Sequence, residues 1–192
     1  MKKVFTGRLS LWVVVIVLFS LTGCTVHITK NISNELDQNA LYKSFNVKPK
    51  DLSTHSKCNA PPTVKIVNIE NRIEDYEALQ SPLASGVINP KELMDGVVLY
   101  LKNGFERSGI KGDDQSNKVI HVKMQDLKSV AGIWSFGSYF KIELLVPETG
   151  FTKFYEAKDN SGHGYAAAAY AIHTVTRQII DDPKIQDYVL CK

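Results

Sequence analysis

Between positions 93 and 105 apolar side chains return every four residues: Leu93, Val97, Leu101 and Phe105, with Met94 and Val98 widening the stripe. That period lays them along one side of a helix. Asn89 and Pro90 suit its N-cap and first position, Glu92 is placed to reach back to the cap, and Gly109 suits its end. The spacing predicts a core-facing helix. A different period follows. Ile120, Val122 and Met124 alternate with His121, Lys123 and Gln125, and Phe140, Ile142, Leu144 and Val146 alternate with Lys141 and Glu143. Alternation of this kind predicts strands with one face in a core. Pro147-Glu148-Thr149-Gly150 predicts a tight turn that returns Phe151 to Ala157 as a partner strand.

A second long helix is predicted from Gly164 to Ile180, with Tyr165, Ala169, Ile172, Thr176 and Ile179 near one stripe. Asp182-Pro183 stops it and caps a last short helix through Ile185 and Val189. Ahead of these elements, Thr63 to Ile69 is a β-branched run that reads as a strand, its apolar phase switching between Ile66 and Val67. Residues 70–88, with Pro82 and Gly86, read as irregular. The order strand, helix, three strands, helix predicts an α+β fold, an antiparallel-rich sheet of about four strands packed on two long helices.

One domain is expected, over residues 61–192, entered at Pro61-Pro62. Residues 24–60 read as a cysteine followed by a polar tether, rich in Asn, Ser, Lys and Thr, with a short helix between Asn34 and Phe45. If flexible, the 36 residues of 25–60 would reach roughly 30–35 Å.

The start of the chain has its own pattern. Lys2, Lys3 and Arg8 precede an unbroken apolar run, Leu11 to Phe19, extended through Ser20 to Leu21. From Leu11 to Leu21 is 11 residues, short of the roughly 20 that cross a bilayer and within the range of a cleavable secretory signal. Leu21-Thr22-Gly23-Cys24 resembles a bacterial lipobox, which implies cleavage between Gly23 and Cys24 and acylation of Cys24. Two or three acyl chains anchor a protein durably where one does not. The competing reading is an uncleaved signal anchor with an incidental thiol. Thr25 follows the cysteine; in enterobacterial lipoproteins an aspartate there retains the protein in the inner membrane, so the resemblance implies the outer membrane, periplasm-facing.

Composition changes the picture in two places. Three of the 23 basic residues belong to the leader, so residues 24–192 hold 20 basic against 20 acidic side chains. Nothing in that balance favours nucleic acid or an anionic surface as partner. Of three cysteines, Cys58 and Cys191 remain once Cys24 is acylated, in a compartment where thiols oxidise. A disulfide between them is favoured over two free thiols.

The layout of lipobox, polar lead-in, "SGI" closing the first helix, hairpin, "NSGHGYAAAAYAIHTVTRQI" helix and "DDPKIQDYV" segment is similar to that of YajG-like outer-membrane lipoproteins. The resemblance covers Cys24 and roughly Pro62 to Leu190, and the Cys58/Cys191 pair departs from it. It implies an envelope lipoprotein without an established catalytic site.

No Gly-x-Ser-x-Gly, phosphate loop, His-Glu-x-x-His or Cys-x-x-Cys occurs, so neither metal nor cofactor is expected. His163 and His173 are ten residues apart, which does not bring two ligands to one helical face. His173 reads as a surface or core-edge residue, His27 and His55 fall in the tether, and His121 lies on a polar strand face. Glu74, Asp75 and Glu77, and Asp113 with Asp114, read as solvated; Asp159-Asn160-Ser161-Gly162 reads as a turn rather than a calcium loop. The candidate partner surface is Ile133, Trp134, Phe136 and Tyr139, between two strands with glycines on both sides; the competing reading buries Trp134 and Phe136 in bent strands. The expected function is a non-catalytic, lipid-anchored envelope domain that binds a protein or lipid partner. Within that class the layout also resembles auxiliary lipoproteins of lipid transporters and activators of peptidoglycan synthases. The alternative class is an envelope hydrolase or metal-dependent enzyme using His163, His173 and nearby acids.

Overall fold

The computed structural model describes residues 24–36, 51–80, 84–132, 135–162 and 164–192. In chain order the elements are β1 (Cys24–His27), α1 (Thr29–Glu35), a 3-10 turn (Ser53–His55), β2 (Thr63–Asn68), β3 (Tyr76–Gln80), β4 (Ala84–Ile88) and α2 (Pro90–Arg107). They continue with β5 (Lys111–Gly112), β6 (Val119–Ala131), β7 (Phe136–Val146), β8 (Phe151–Ser161), α3 (Gly164–Ile180) and α4 (Pro183–Val189). The fold is mixed α and β.

Punctuation acts where the sequence places it. Asn89 caps α2, its side chain accepting from the Glu92 N–H at 3.0 Å, and Gly109 leaves the helix at φ +79°. Asp182 caps α4 by accepting from the Lys184 N–H at 2.8 Å. Gly150, at φ +68°, closes the β7–β8 turn, its N–H bonded to the Val146 carbonyl at 2.9 Å.

Among the described residues the sheet holds eight strands rather than about four. Its long part is the antiparallel meander β6–β7–β8; β2 runs parallel to the first half of β6 and β3 parallel to its last residues. Beyond β3 the sheet continues through β4 to β1. Helices pack on one face. Leu93, Met94, Val97, Leu101 and Phe105 of α2, at most 1% exposed, meet the inward residues of β2 and β6, while Ala169, Ile172, Val175 and Ile179 of α3 meet Phe140, Ile142 and Leu144 of β7. Each such Leu, Met, Val, Ile or Phe side chain contributes roughly 1.5–3 kcal/mol. The alanine run Ala166–Ala169 is buried and packs within this protein.

Two stretches differ from the sequence reading. Residues 70–88 are not irregular: β3 and β4 form an antiparallel pair, with a register shift between Glu77 and Leu79. Residues 24–36 are not a tether. β1 lies parallel along β4, α1 ends at Glu35 rather than starting at Asn34, and Ile28, Ile32 and Leu36 are at most 3% exposed in the main core. Further on, Leu52 is 2% exposed and its N–H bonds the Ser108 carbonyl at 2.9 Å, tying residues 51–58 to the end of α2. The remainder of the expected Asn34–Phe45 helix lies outside the described residues.

Candidate interaction surface

One row of paired residues crosses six strands: Thr25 beside Ser85, Ser85 beside Gln80, Gln80 beside Val130, Val130 beside Gly137, and Gly137 beside Asn160. Beyond this row lie the start of β1 at Cys24, the end of β3 and start of β4, the end of β6 and start of β7, and the end of β8. Cys24 and Phe136 thus lie at one end of the sheet. Strands about 4.8 Å apart put the β6 position of the row roughly 14 Å from that of β1.

At this end, β1 is held along β4. Cys24 is in register with Ala84, the Thr25 and Ser85 hydroxyls are 3.3 Å apart, and the Ile28 N–H bonds the Val87 carbonyl at 2.9 Å. Ile28 sits over Gly86, where an added Cβ would be 2.9 Å from Ile28 Cδ1 and 2.8 Å from Leu79 Cβ. Gly86 is therefore the gap into which the N-terminal segment docks. Thr29 then receives the Asn89 N–H at 2.9 Å, joining the start of α1 to the cap of α2.

The β6–β7 turn is closed by the Gly132 N–H on the Ser135 carbonyl at 2.7 Å. Ile133 and Trp134 lie outside the described residues, as do Gly23 and His163. Phe136 does not project from the tip: it is half-buried on the inner side, and a Cβ at Gly164 would be 3.2 Å from its ring. Tyr139 is on the opposite, outer face, between Lys128 and Lys158 in register.

Among the described residues that outer face carries no helix, and it is laced by cross-strand pairs. Glu156 accepts from the Tyr139 hydroxyl at 2.8 Å and pairs with Lys141 at 3.3 Å, Lys141 lies over the Phe154 ring, and Gln125 donates to Glu143 at 2.7 Å. Burial and the Glu156 charge push the Tyr139 hydroxyl up to about 12. Val130 and Phe154, 61% and 52% exposed, are exposed large apolar side chains on this face.

At the other end of β6, Cys58 and Cys191 form a disulfide with Cα atoms 5.1 Å apart, inside the usual range of roughly 4.4–6.8 Å. Beside it is a cavity of about 560 Å³ whose lining includes Lys118, Glu148, Phe151, Lys184, Tyr188 and Cys191. The Tyr188 hydroxyl accepts the Val119 N–H at 2.8 Å and Lys118 lies 4.6 Å over its ring. Burial drives the Tyr188 hydroxyl up to about 12.

The titratable groups of the interior are assigned to structure. His173 is not at a surface or core edge; it is 2% exposed, with Nδ1 2.7 Å from the Tyr100 hydroxyl. Burial first, then the nearby Arg177 charge, lowers it to about 4. Asp182 accepts from Lys153 at 2.6 Å and Tyr155 at 2.9 Å; burial opposes its charge, but these bonds win and hold the carboxyl below its usual range. Glu70 is likewise buried, resisted by desolvation yet lowered by a bidentate Arg72 at 2.7 and 2.8 Å, which also donates to the Met124 carbonyl. His27 lies 3.6 Å from Asp75. Among the described residues no group of three or more His, Cys, Asp or Glu side chains is arranged to hold a metal ion.

No family model matches the chain, and no curated relative matches it. Among solved structures it is similar to the hypothetical protein CT253 from Chlamydia trachomatis, with 8% identity over 69% of this chain and 100% of that one and a TM-score of 0.48. It is also similar to protein XCC0632 from Xanthomonas campestris, described as DUF330, with 14% identity over 68% of this chain and 85% of that one and a TM-score of 0.45. Likeness at this level passes no function to the chain.

Proposed function

We propose that the protein is a non-catalytic bacterial envelope lipoprotein, anchored by acyl chains on Cys24 and facing the periplasm from the outer membrane, that binds a protein or lipid partner there. The observation that carries the reading is the Cys58–Cys191 disulfide, which suits an exported protein because cystines persist in oxidising compartments. It supports taking the apolar run before Cys24 as a secretory signal and Leu21-Thr22-Gly23-Cys24 as its lipobox. The YajG-like layout and Thr25, in place of an aspartate, support the outer membrane as destination. Partner binding is assigned to the outer face around Tyr139 and Phe154, which no helix covers among the described residues.

Metabolic labelling with an alkyne fatty acid tests the anchor: the wild type is expected to be labelled and Cys24→Ser to be unlabelled. Equal labelling of the two would refute acylation at this cysteine. A photo-crosslinker placed at Phe154 in cells is expected to give one reproducible adduct; a crosslinker that reacts with nothing at this position or at Tyr139 would refute the assigned partner face.

A further inference from the structure

We propose that two copies of this chain pair through β8, edge to edge and antiparallel about Ala157, so that their sheets join into one. The inference goes beyond the partner face assigned above: it uses the backbone at the rim of the sheet and needs neither the anchor nor that face.

Among the described residues, β8 pairs with β7 alone, over its full 11 residues and without a register shift. Such an edge offers a row of N–H and C=O groups to another strand unless brevity, a bulge or a proline blunts it, and β8 has none of these. The turn decides which peptide groups point outward. Val146 is in register with Phe151, and its carbonyl also takes the Gly150 N–H, with Gly150 at φ +68°. This bulge geometry makes Val146–Phe151 a hydrogen-bonded pair. Alternation along the ladder then gives the odd-numbered residues of β8 to β7 and turns the peptide groups of Thr152, Phe154, Glu156, Lys158 and Asn160 to the free edge. Two contacts agree with that parity. The Gln178 side chain donates to the Glu156 carbonyl at 3.2 Å, and the Asn160 N–H is taken by the Asp159 carboxylate at 2.8 Å. Both are exposed side-chain stand-ins that a second strand replaces.

Charge selects the occupant and the register. A two-fold axis at Ala157 sets Glu156 opposite Lys158 of the second copy, Lys158 opposite its Glu156, and Phe154 opposite its Asn160. An axis at Glu156 or at Lys158 sets like charges face to face, which is unfavourable. An axis at Tyr155 or at Asp159 leaves both charges opposite uncharged residues. The register at Ala157 therefore satisfies both charges, and it does so with a second copy of the same strand. Lys153 takes no part, its ammonium being held by Asp182 at 2.6 Å. Ala157, 9% exposed, puts a small side chain at the axis, where the Cα atoms of a non-hydrogen-bonded pair come within about 4.5 Å. Such a pairing makes about eight new backbone hydrogen bonds.

The test uses full-length protein purified from membranes in detergent, with its dimer-to-monomer ratio read by native mass spectrometry at micromolar concentration. The wild type is expected to show a dimer. Glu156→Lys alone should lower the ratio about fivefold or more, and adding Lys158→Glu to the same chain should restore it. Lys158→Pro removes an N–H that the β7 ladder does not use, so it should abolish the dimer while thermal unfolding and the Cys58–Cys191 bond stay as in the wild type. A wild type that is monomeric, or found only with a different protein, overturns the pairing. A dimer that survives Lys158→Pro overturns this edge, and a double variant no better than Glu156→Lys overturns this register. None of these results touches acylation at Cys24 or the outer face, which have their own tests.

Discussion

His173 lies on the inward stripe of α3, 2% exposed and 2.7 Å from the Tyr100 hydroxyl, and its acidity has a consequence for stability. The folded value of about 4 is depressed from 6.5, so the unfolded chain binds a proton that the folded one refuses. The stabilisation is complete above pH 6.5 and is lost as the pH falls toward 4. Urea unfolding at pH 7.5 and pH 4.5 is expected to show a His173 contribution to this loss of about 2 kcal/mol, absent in His173→Gln; equal pH dependence in the two proteins would contradict it. Asp182 acts in the same sense at lower pH: its depressed carboxyl stabilises above the usual carboxylate range and stops doing so in acid. Asp182→Ala removes a helix cap and the shared partner of Lys153 and Tyr155, so it should cost about 2–4 kcal/mol in chemical denaturation. The cap was legible because Asp-Pro is a local signal. His173 was legible too, since it shares a helical face with Ala169, Ile172 and Thr176, but testing it only for ligand spacing against His163 passed over that face.

At the scale of elements, legibility follows how much of the signal is local. The strands β6, β7 and β8 alternate cleanly because one face is in the core and the other in water, and α2 and α3 carry four-residue stripes. β3 and β4 are short, contain Glu77, Gln80, Ser85 and Gly86, and derive their pairing from neighbours rather than composition. β1 is harder still, because its partner β4 is some sixty residues away. The stripe Ile28, Ile32, Leu36 was nonetheless present in the sequence, diluted by the polar residues around it. Gly86 is the position on which this docking depends. Gly86→Val should push Ile28 out of place at a cost of about 1–3 kcal/mol. Hydrogen exchange should then accelerate at the Ile28 and Ile32 amides while the β6–β7 ladder stays protected; uniform acceleration, or none, would contradict a separately docked segment.

At the scale of the molecule, two fastenings hold flanking segments to the sheet. At one end β1 pairs along β4 at the sheet edge; at the other, the disulfide ties Cys58, and through it the segment docked by Leu52, to Cys191 just past α4. The bond spans a sequence separation of 133, so it restricts the unfolded chain strongly. The double variant Cys58→Ser/Cys191→Ser should lose about 2–4 kcal/mol, and an unchanged guanidinium midpoint would contradict that. The even pair of cysteines made this bond legible from the sequence. What the sequence concealed is that residues 24–36 of its polar lead-in are a strand and a helix of the domain.

Lipid covalently joined to the first residue of β1 is the claim from which the envelope reading follows. Intact-mass and N-terminal peptide spectrometry of the protein extracted from membranes measures it directly. The account predicts a chain beginning at Cys24 that carries the mass of a diacylglyceryl group and an amide-linked acyl chain. A leader still attached, or a Cys24 of unmodified mass, would contradict it.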